Sequence, residues 1–303
     1  MPRATAIGVA LLFCTLLLGA CASPPPAISD NVPSSVMAIT PTVSPGPAPE
    51  PTSEPTPTRS PRIVAIDPGH GGEDDSILQT DGDGRNYREG PNTGVGIYRA
   101  DGSILWEKDL ALDVAQRLQR HLAEMGYRAV LTRTEDRPVN DPPRDLNGDG
   151  EIDIADELQA RNDAINESGA EIFVSIHFNG YSPTSRHGVT IYYCADRTFS
   201  DNNKLLADLV HDATWDGLAS TGFKPHDNGV MDDVEAGGTP GHLALLGPGT
   251  RRVPRHTQVP GVLVEPLFLT DPAERDLIQG PAVRESLAQV LAQAIQEYLL
   301  RNQ

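Results

Sequence analysis

The sequence predicts an α/β fold with a mixed or mostly parallel central sheet and helices on both faces. Two observations predict it. Short apolar runs bounded by turn residues alternate with longer segments whose apolar residues recur at helical spacing, as strands and helices do in α/β proteins. The chain also has 303 residues and is 38% hydrophobic, which is enough apolar material for a substantial core.

Each element is predicted from its own local pattern. Apolar runs that stop at turn or polar residues predict strands, and these lie at 62–66, 127–132, 171–176, 189–194 and 261–264. The first helix carries apolar residues at helical spacing from Leu110 to Met125 and stops at Gly126. The same kind of pattern predicts helices at 107–125, 158–167, 204–218 and 282–301.

Composition and charge exclude several classes of protein. The chain has 24 Lys and Arg against 42 Asp and Glu, a net charge of −18. A surface that acidic repels phosphate backbones, so nucleic acid is not an expected partner. Three cysteines cannot build a disulfide scaffold. Cys194 is expected to be a small buried apolar residue, and the histidines outside the site described below are expected on loops or the surface, with His242 singled out for attention.

The N-terminal segment has the pattern of a secretory signal. Arg3 precedes an apolar run that ends Leu18-Gly19-Ala20-Cys21, which resembles a bacterial lipobox. We therefore predict a signal peptide over 1–21 with Cys21 lipidated, and hence an extracytoplasmic, membrane-anchored lipoprotein. The alternatives are an ordinary signal peptide and an uncleaved anchor helix.

Residues 22–61 are rich in Pro, Ser and Thr, and such a segment cannot bury enough apolar surface to fold. They are predicted to be a disordered tether, which at about 3.1 Å per residue reaches on the order of 100 Å. The folded domain is predicted over 62–303. A tether of that length suits a domain that works at a distance from its membrane.

Three of the predicted strands lead directly into a metal ligand or an acid. His70 follows the first strand, His177 follows the strand at 171–176, and Glu265 follows the strand at 261–264. Because catalytic groups gather at the carboxyl ends of strands in such folds, these side chains are expected to meet. One histidine after a strand is most often structural, whereas three compatible groups favour a functional site.

Five segments identify a family. They are Asp67-Pro68-Gly69-His70-Gly71-Gly72, Glu107-Lys108-Asp109-Leu110, Leu131-Thr132-Arg133, Ser175-Ile176-His177-Phe178-Asn179 and Val262-Leu263-Val264-Glu265. In this order, across about 62–300, they resemble the zinc-dependent N-acetylmuramoyl-L-alanine amidases, which act on bacterial peptidoglycan. The resemblance implies hydrolysis of the amide between the lactyl group of N-acetylmuramic acid and L-alanine.

The resemblance also implies roles for individual residues. His70, Glu107 and His177 would bind one Zn²⁺, and Glu265 would be the catalytic carboxylate. The chemistry agrees, because two imidazoles and a carboxylate are typical of a catalytic zinc site that keeps one position open. Zinc lowers the pKa of its bound water to about 7, and a nearby carboxyl group can pass a proton to the leaving amine.

Other interpretations of these residues stay open at this point. Glu107 could be an acidic residue that suits a helix N-terminus, and Glu89 is a rival third ligand. Glu265 could cap a turn before Pro266, and Asn179 could orient either the substrate or its own loop. The rival functions are a zinc peptidase acting on the stem peptide and a non-catalytic peptidoglycan-binding lipoprotein.

The sequence departs from the family pattern in three places. The stretch 74–105, between the first histidine and Glu107, is longer than usual and rich in Gly and Asp, and we expect a long loop beside the cleft. The stretch 223–256 is expected to be irregular. Pro266 stands where a small residue is usual.

A second metal is predicted in an insertion at 145–156. Glycine at loop position 6 and an apolar residue at position 8 follow the calcium-loop pattern, and the proposed ligands are Asp145, Asn147, Asp149, Glu151 through its backbone carbonyl, Asp153 and Asp156. Pro142-Pro143 excludes a normal entering helix. Ca²⁺ here would be structural, and the alternative is a polar surface turn.

Overall fold

The computed structural model describes residues 60–80, 84–180, 186–236 and 241–302, all within a compact unit that spans Pro57–Gln303. The predicted signal peptide, Cys21 and nearly all of the predicted tether lie outside the described residues. In the described ranges, none of the helices combines the length and the apolar character that a membrane span requires.

From α1 onward helices are interspersed with strands, as the sequence predicts, whereas five strands precede α1. The strands are β1 (Ile63–Pro68), β2 (Ile77–Thr80), β3 (Asn86–Gly90), β4 (Gly94–Tyr98), β5 (Ile104–Trp106), β6 (Arg128–Leu131), β7 (Ile172–Ile176), β8 (Val189–Tyr193), β9 (Asp227–Asp232) and β10 (Gly261–Glu265). The helices are α1 (Glu107–Glu124), α2 (Ile154–Glu167), α3 (Ser200–Ser220), α4 (Pro272–Ile278) and α5 (Pro281–Arg301).

Six strands form the central sheet, in the order β6-β1-β7-β10-β8-β9. All neighbouring pairs are parallel except β10 and β8, so the sheet is mixed and mostly parallel, as predicted. Ile66 on β1 and Val262 on β10 both pair with Val174 on β7. The carboxyl ends of these three adjacent parallel strands therefore meet at one edge of the sheet.

The sheet buries both faces, which confirms the predicted layers. Side chains alternate along a strand, so Val64 and Ile66 belong to a core shared with α1, α3 and α5. Ala65 between them belongs to a second core, which includes Ile165 of α2 and Leu246 of a later loop. Each fully buried Ile or Leu contributes about 1.5–3 kcal/mol to folding.

The expectation of a long loop over 74–105 was wrong. Strands β2 to β5 form a separate four-stranded antiparallel sheet in chain order. The small sheet packs onto α1 and the main core through one apolar face. The buried residues of this face are Tyr87, Val95, Ile97 and Leu105. Intervening glycines and charges hide the alternation in the sequence.

Three further elements differ from expectation. Strand β9 lies within the stretch expected to be irregular, and pairs with β8. Helix α2 begins at Ile154 and not at 158, because Asp153 and Asp156 form a capping box at its start. Helix α4 was not predicted; Asp271 caps it and Pro272 begins it.

Candidate active site

Three side chains from different parts of the sequence converge at the carboxyl edge of β1, β7 and β10. One ligand atom each of His70, Glu107 and His177 all lie within 4.8 Å of one another. Oε1 of Glu107 is 3.2 Å from Nε2 of His70 and 3.1 Å from Nδ1 of His177. The structure thus brings together the three residues that the sequence analysis expects as metal ligands.

Glu107 is held in place by backbone donors. It is the first residue of α1 and is 4% exposed. Its Oε2 accepts a hydrogen bond from the Val95 backbone N–H (2.9 Å), and its Oε1 accepts one from the Phe178 N–H (3.0 Å). Gly94, with φ of 63°, lies so close that a Cβ there would collide with the carboxylate. The glutamate is therefore positioned by the small sheet as well as by its helix.

The turn that carries His70 is strained and tightly bonded. His70 has φ of 57°, which is uncommon for a residue with a side chain, and a Cβ at Gly69 would collide with the His177 ring. Nδ1 of His70 lies 2.9 Å from the Pro91 carbonyl oxygen. Donation from Nδ1 to this oxygen leaves Nε2 facing Glu107 as an acceptor, the arrangement that metal-binding histidines use.

A buried arginine supports the same turn. Arg161 on α2 donates to the carbonyl oxygens of His70 (2.6 Å) and Pro68 (2.9 Å). Its charge is balanced by Asp67 (2.8 Å) and Glu157 (2.9 Å), both nearly inaccessible to solvent. Because the guanidinium bonds backbone and carboxylates at once, it fixes where His70 stands.

A second buried arginine bonds the neighbouring part of this turn. Arg133 donates to the carbonyl oxygens of Pro68 (3.0 Å), Gly69 (2.9 Å) and Lys108 (2.7 Å). Burial lowers the pKa of Arg133 to about 10. Nothing in the local sequence pattern indicates that Arg133 or Arg161 binds this turn.

Glu265 ends β10 and shares a cavity of about 500 Å³ with His70, Glu107 and His177. Its Oε2 is buried and has no hydrogen-bond partner among the described residues. Burial, and then the negative charge of Glu107, raise the pKa of Glu265 well above its usual value. A buried carboxyl group of raised pKa, facing a cavity, is suited to exchanging a proton.

Glu89, the rival third ligand, and Asn179, whose role was left open, line this cavity but are not among the converging donors. Burial and the charge of Glu107 raise the pKa of Glu89 on β3, but Glu89 is not in the group of converging donors. The backbone of Asn179 donates to the Leu267 carbonyl oxygen and accepts from the Leu269 N–H. Asn179 thus ties its own loop to the segment after β10, in addition to lining the cavity.

The residues present fit a metal ion with a reactive open position. Tetrahedral zinc with bonds of about 2.0–2.2 Å to nitrogen and oxygen sets neighbouring ligands about 3.3–3.6 Å apart, and the separations of 3.2 and 3.1 Å around Oε1 of Glu107 need to open by only a few tenths of an ångström. The unpartnered Oε2 of Glu265 offers an acceptor for a group bound beside them. A hydrolytic metal site is the chemistry that this arrangement suits best.

The segment 145–156 has a different set of contacts. The carboxylate of Asp145 accepts hydrogen bonds from the N–H groups of Gly148 (2.7 Å) and Gly150 (2.9 Å), and Asp156 accepts from Leu146 (2.6 Å). In the described part of the chain, neither group of converging metal donors includes a residue of 145–156. Asp145 and Asp156 bond their own loop here, while Asn147 and Asp153 also contact Arg252 outside it.

Comparison with known proteins decides the family. The model of the N-acetylmuramoyl-L-alanine amidase family matches residues 64–297. The chain belongs to this family. The germination-specific N-acetylmuramoyl-L-alanine amidase of Bacillus subtilis is 26% identical to the amidase described here over 242 residues, which are 79% of this chain and 80% of that protein.

One further relative and one solved structure match over a similar share of the chain. The N-acetylmuramoyl-L-alanine amidase AmiC of Neisseria meningitidis is 25% identical over 257 residues, 78% of this chain and 52% of its own length. The crystal structure of an N-acetylmuramoyl-L-alanine amidase from Clostridium difficile superposes on this one with a TM-score of 0.55 and a sequence identity of 24%. The match covers 81% of this chain and 100% of that chain. The amidase therefore shares the family fold across its folded part.

Proposed function

We propose that this amidase hydrolyses the amide between the lactyl group of N-acetylmuramic acid and L-alanine in peptidoglycan, with Zn²⁺ held by His70, Glu107 and His177. The observation that carries the proposal is the convergence of these three side chains beside Glu265, whose buried Oε2 has no hydrogen-bond partner among the described residues. Family membership over residues 64–297 supports the substrate class.

The proposed roles follow from the contacts. Zn²⁺ held by His70, Glu107 and His177 would lower the pKa of coordinated water to about 7 and polarise a carbonyl group. Glu265 accepts the proton released by the attacking water and passes it to the amine nitrogen as the amide bond breaks. Glu107 stays ionised; burial works to raise its pKa, but His70 and His177 outweigh burial and hold the pKa well below its usual value.

Product analysis tests the reaction. Purified peptidoglycan digested by the full chain should yield glycan strands with intact lactyl groups and peptides with a free N-terminal L-alanine. Chelation should stop the reaction, and added zinc should restore it. Cleavage inside the stem peptide would instead show a peptidase, and binding without any cleavage would show a non-catalytic wall-binding protein.

We also propose that lipidated Cys21 anchors the enzyme to a membrane in the cell envelope. The Leu18-Gly19-Ala20-Cys21 segment and the Pro-rich stretch after it support this. Stable anchoring needs more than one acyl chain, and Cys21 is the residue that would carry the lipid. The parent chain should therefore partition into the detergent phase, and Cys21→Ser should not. Equal partitioning of the two would favour an ordinary signal peptide.

A third proposal concerns structural Ca²⁺ in the loop 145–156, supported by the spacing of its oxygen-bearing residues. A cation that binds only the folded state stabilises it. Added Ca²⁺ should raise the melting temperature by about 2–4 °C; Asp145→Ala should abolish the rise, and the exposed control Asp201→Ala should not. Identical melting of the parent with and without Ca²⁺ would end this proposal.

A further inference from the structure

A second group of metal-binding side chains lies away from the cluster at His70. Cys194 follows β8, Asp232 ends β9, Asp233 follows it in a 3₁₀ turn, and His242 lies on the next described segment. One ligand atom of each residue lies within 4.8 Å of all the others. Because β8 runs antiparallel to β10 and β9 runs with β8, this group is at the opposite edge of the sheet from Glu265.

The distances inside this group suit a tetrahedral ion. Sγ of Cys194 is 3.4 Å from Nδ1 of His242, and that nitrogen is 2.8 Å from Oδ1 of Asp233. Zinc bonds of about 2.0–2.3 Å set neighbouring donors about 3.3–3.7 Å apart. The sulfur–nitrogen separation already has this value, and the nitrogen–oxygen pair needs to open by a few tenths of an ångström.

The charges at this edge favour a bound cation. One carboxylate oxygen of Asp232 and one of Asp233 lie within 4.8 Å of each other, and Asp233 and Cys194 are completely buried. Neighbouring buried carboxylates repel unless a proton or a cation lies between them. His242 is the one nearby base among these donors, and its Nε2 also faces the Asp196 carboxylate at 3.3 Å. The Arg197 guanidinium also interacts with Cys194 and Asp233. One imidazole and one guanidinium therefore face the three carboxylates of Asp196, Asp232 and Asp233.

We propose that Cys194, Asp232, Asp233 and His242 bind a second Zn²⁺ ion. A thiolate, an imidazole and two carboxylates suit zinc better than Ca²⁺, which prefers oxygen ligands alone. Four protein ligands close the coordination sphere, and closed zinc sites are structural. Asp196 orients the imidazole through its other nitrogen, as carboxylates beside metal-bound histidines do.

The ion joins the edge of the sheet to a loop that reaches the active site. The Leu243 N–H donates to Oδ2 of Asp233 (3.0 Å), and the Ala244 carbonyl oxygen accepts from Asn162 of α2 (3.1 Å). Leu245 then lines a cavity of about 250 Å³ together with His70 and His177. The second zinc thus fixes one wall of the cleft from outside it.

Metal content tests the proposal independently of activity. The purified full chain should contain about two zinc ions, since each site holds one, and both His177→Ala and His242→Ala should contain about one. His211→Ala removes another histidine paired with carboxylates, Asp212 and Asp227, and should keep both ions. A parent with one ion, lost in His177→Ala and kept in His242→Ala, would overturn the second site and leave a metal-free His242–Asp233 pair.

Cobalt gives a second measurement that does not depend on a folded variant at this edge. The chain has three cysteines, so replacing Cys14 and Cys21 by serine leaves Cys194 as the remaining thiol. Protein made in cobalt medium should then show a thiolate-to-cobalt charge-transfer band, which His177→Ala keeps and Cys194→Ser loses. Absence of the band in the cobalt-loaded protein before any change at Cys194 would refute the proposal.

Discussion

Glu107 and Glu265 share the catalytic cavity, but they differ in how many hydrogen bonds their carboxylate oxygens accept. Both oxygens of Glu107 accept backbone hydrogen bonds, from Val95 and Phe178, and one of them also faces the two histidines. Oε2 of Glu265 is also buried, but it has no hydrogen-bond partner in the described part of the chain. The positions of both residues come from regular structure, since Glu107 begins α1 and Glu265 ends β10.

The difference separates holding a metal from moving a proton. A ligand must stay ionised and keep its place, and the histidines hold the pKa of Glu107 well below its usual range although burial opposes them. A proton carrier must exchange its proton near neutral pH, and burial with the charge of Glu107 raises the pKa of Glu265. Two carboxyl groups pushed apart in this way are typical of acid–base sites.

A third buried glutamate shows what burial does outside the cavity. Glu274 on α4 is 1% exposed; its Oε2 accepts from the Phe268 N–H (2.7 Å), and its Oε1 has no hydrogen-bond partner among the residues that the structure describes. Burial raises the pKa of Glu274 to about 7. A raised pKa is therefore not sufficient for a catalytic role, and what distinguishes Glu265 is its place beside the converging ligands.

The largest expected effect comes from removing the proton carrier. Glu265→Gln keeps the shape of the side chain but cannot accept a proton, so peptidoglycan hydrolysis should fall by about 10²–10⁴-fold. Zinc content should be unchanged, because Glu265 is not among the converging ligands. The matched control is Glu274→Gln, which should retain activity. An unchanged rate in Glu265→Gln would refute the proposed mechanism.

A smaller effect should follow from loosening the turn that carries His70. Arg161→Lys keeps the charge but loses the planar fork that bonds the His70 carbonyl oxygen and Asp67 together. Because such supporting contacts orient metal ligands, zinc affinity should fall by about 10–100-fold, measured by competition with a chelating dye. Arg255→Lys changes an exposed pair with Asp163 and should have almost no effect. Equal affinity in Arg161→Lys and the parent would contradict the positioning role.

Much of the site could be predicted because its residues follow strands. His70, His177 and Glu265 come directly after or at the end of apolar runs, and neighbouring parallel strands bring such ends to one edge. The small sheet over 77–106 was missed, since glycines and charges interrupt its alternation, and so was the Val95 N–H that it supplies to Glu107.

Side-chain contacts far apart in the sequence could not be predicted from local patterns. Arg161 reaches the His70 carbonyl oxygen across 91 positions, and no spacing rule relates the two. Cys194 is buried, as expected. The sequence did not predict that its sulfur lies beside a polar partner, Nδ1 of His242. Long-range pairing of β8 with β9, the strand that was missed, is what brings their ends together.

The smallest effect concerns Glu274, and its sign follows from the two pKa values. The folded-state pKa is about 7 and the ordinary value is 4.5, so folding takes up a proton between them and the parent loses stability as pH rises across this range. Glu274→Gln keeps an acceptor for the Phe268 N–H and cannot ionise. Its free energy of unfolding relative to the parent should therefore increase from pH 5 to pH 8, on the order of 1–2 kcal/mol, in urea titrations. The exposed control Glu297→Gln should show no such increase, and a Glu274→Gln difference that is flat with pH would mean that this carboxyl group is ionised in the folded protein at both pH values.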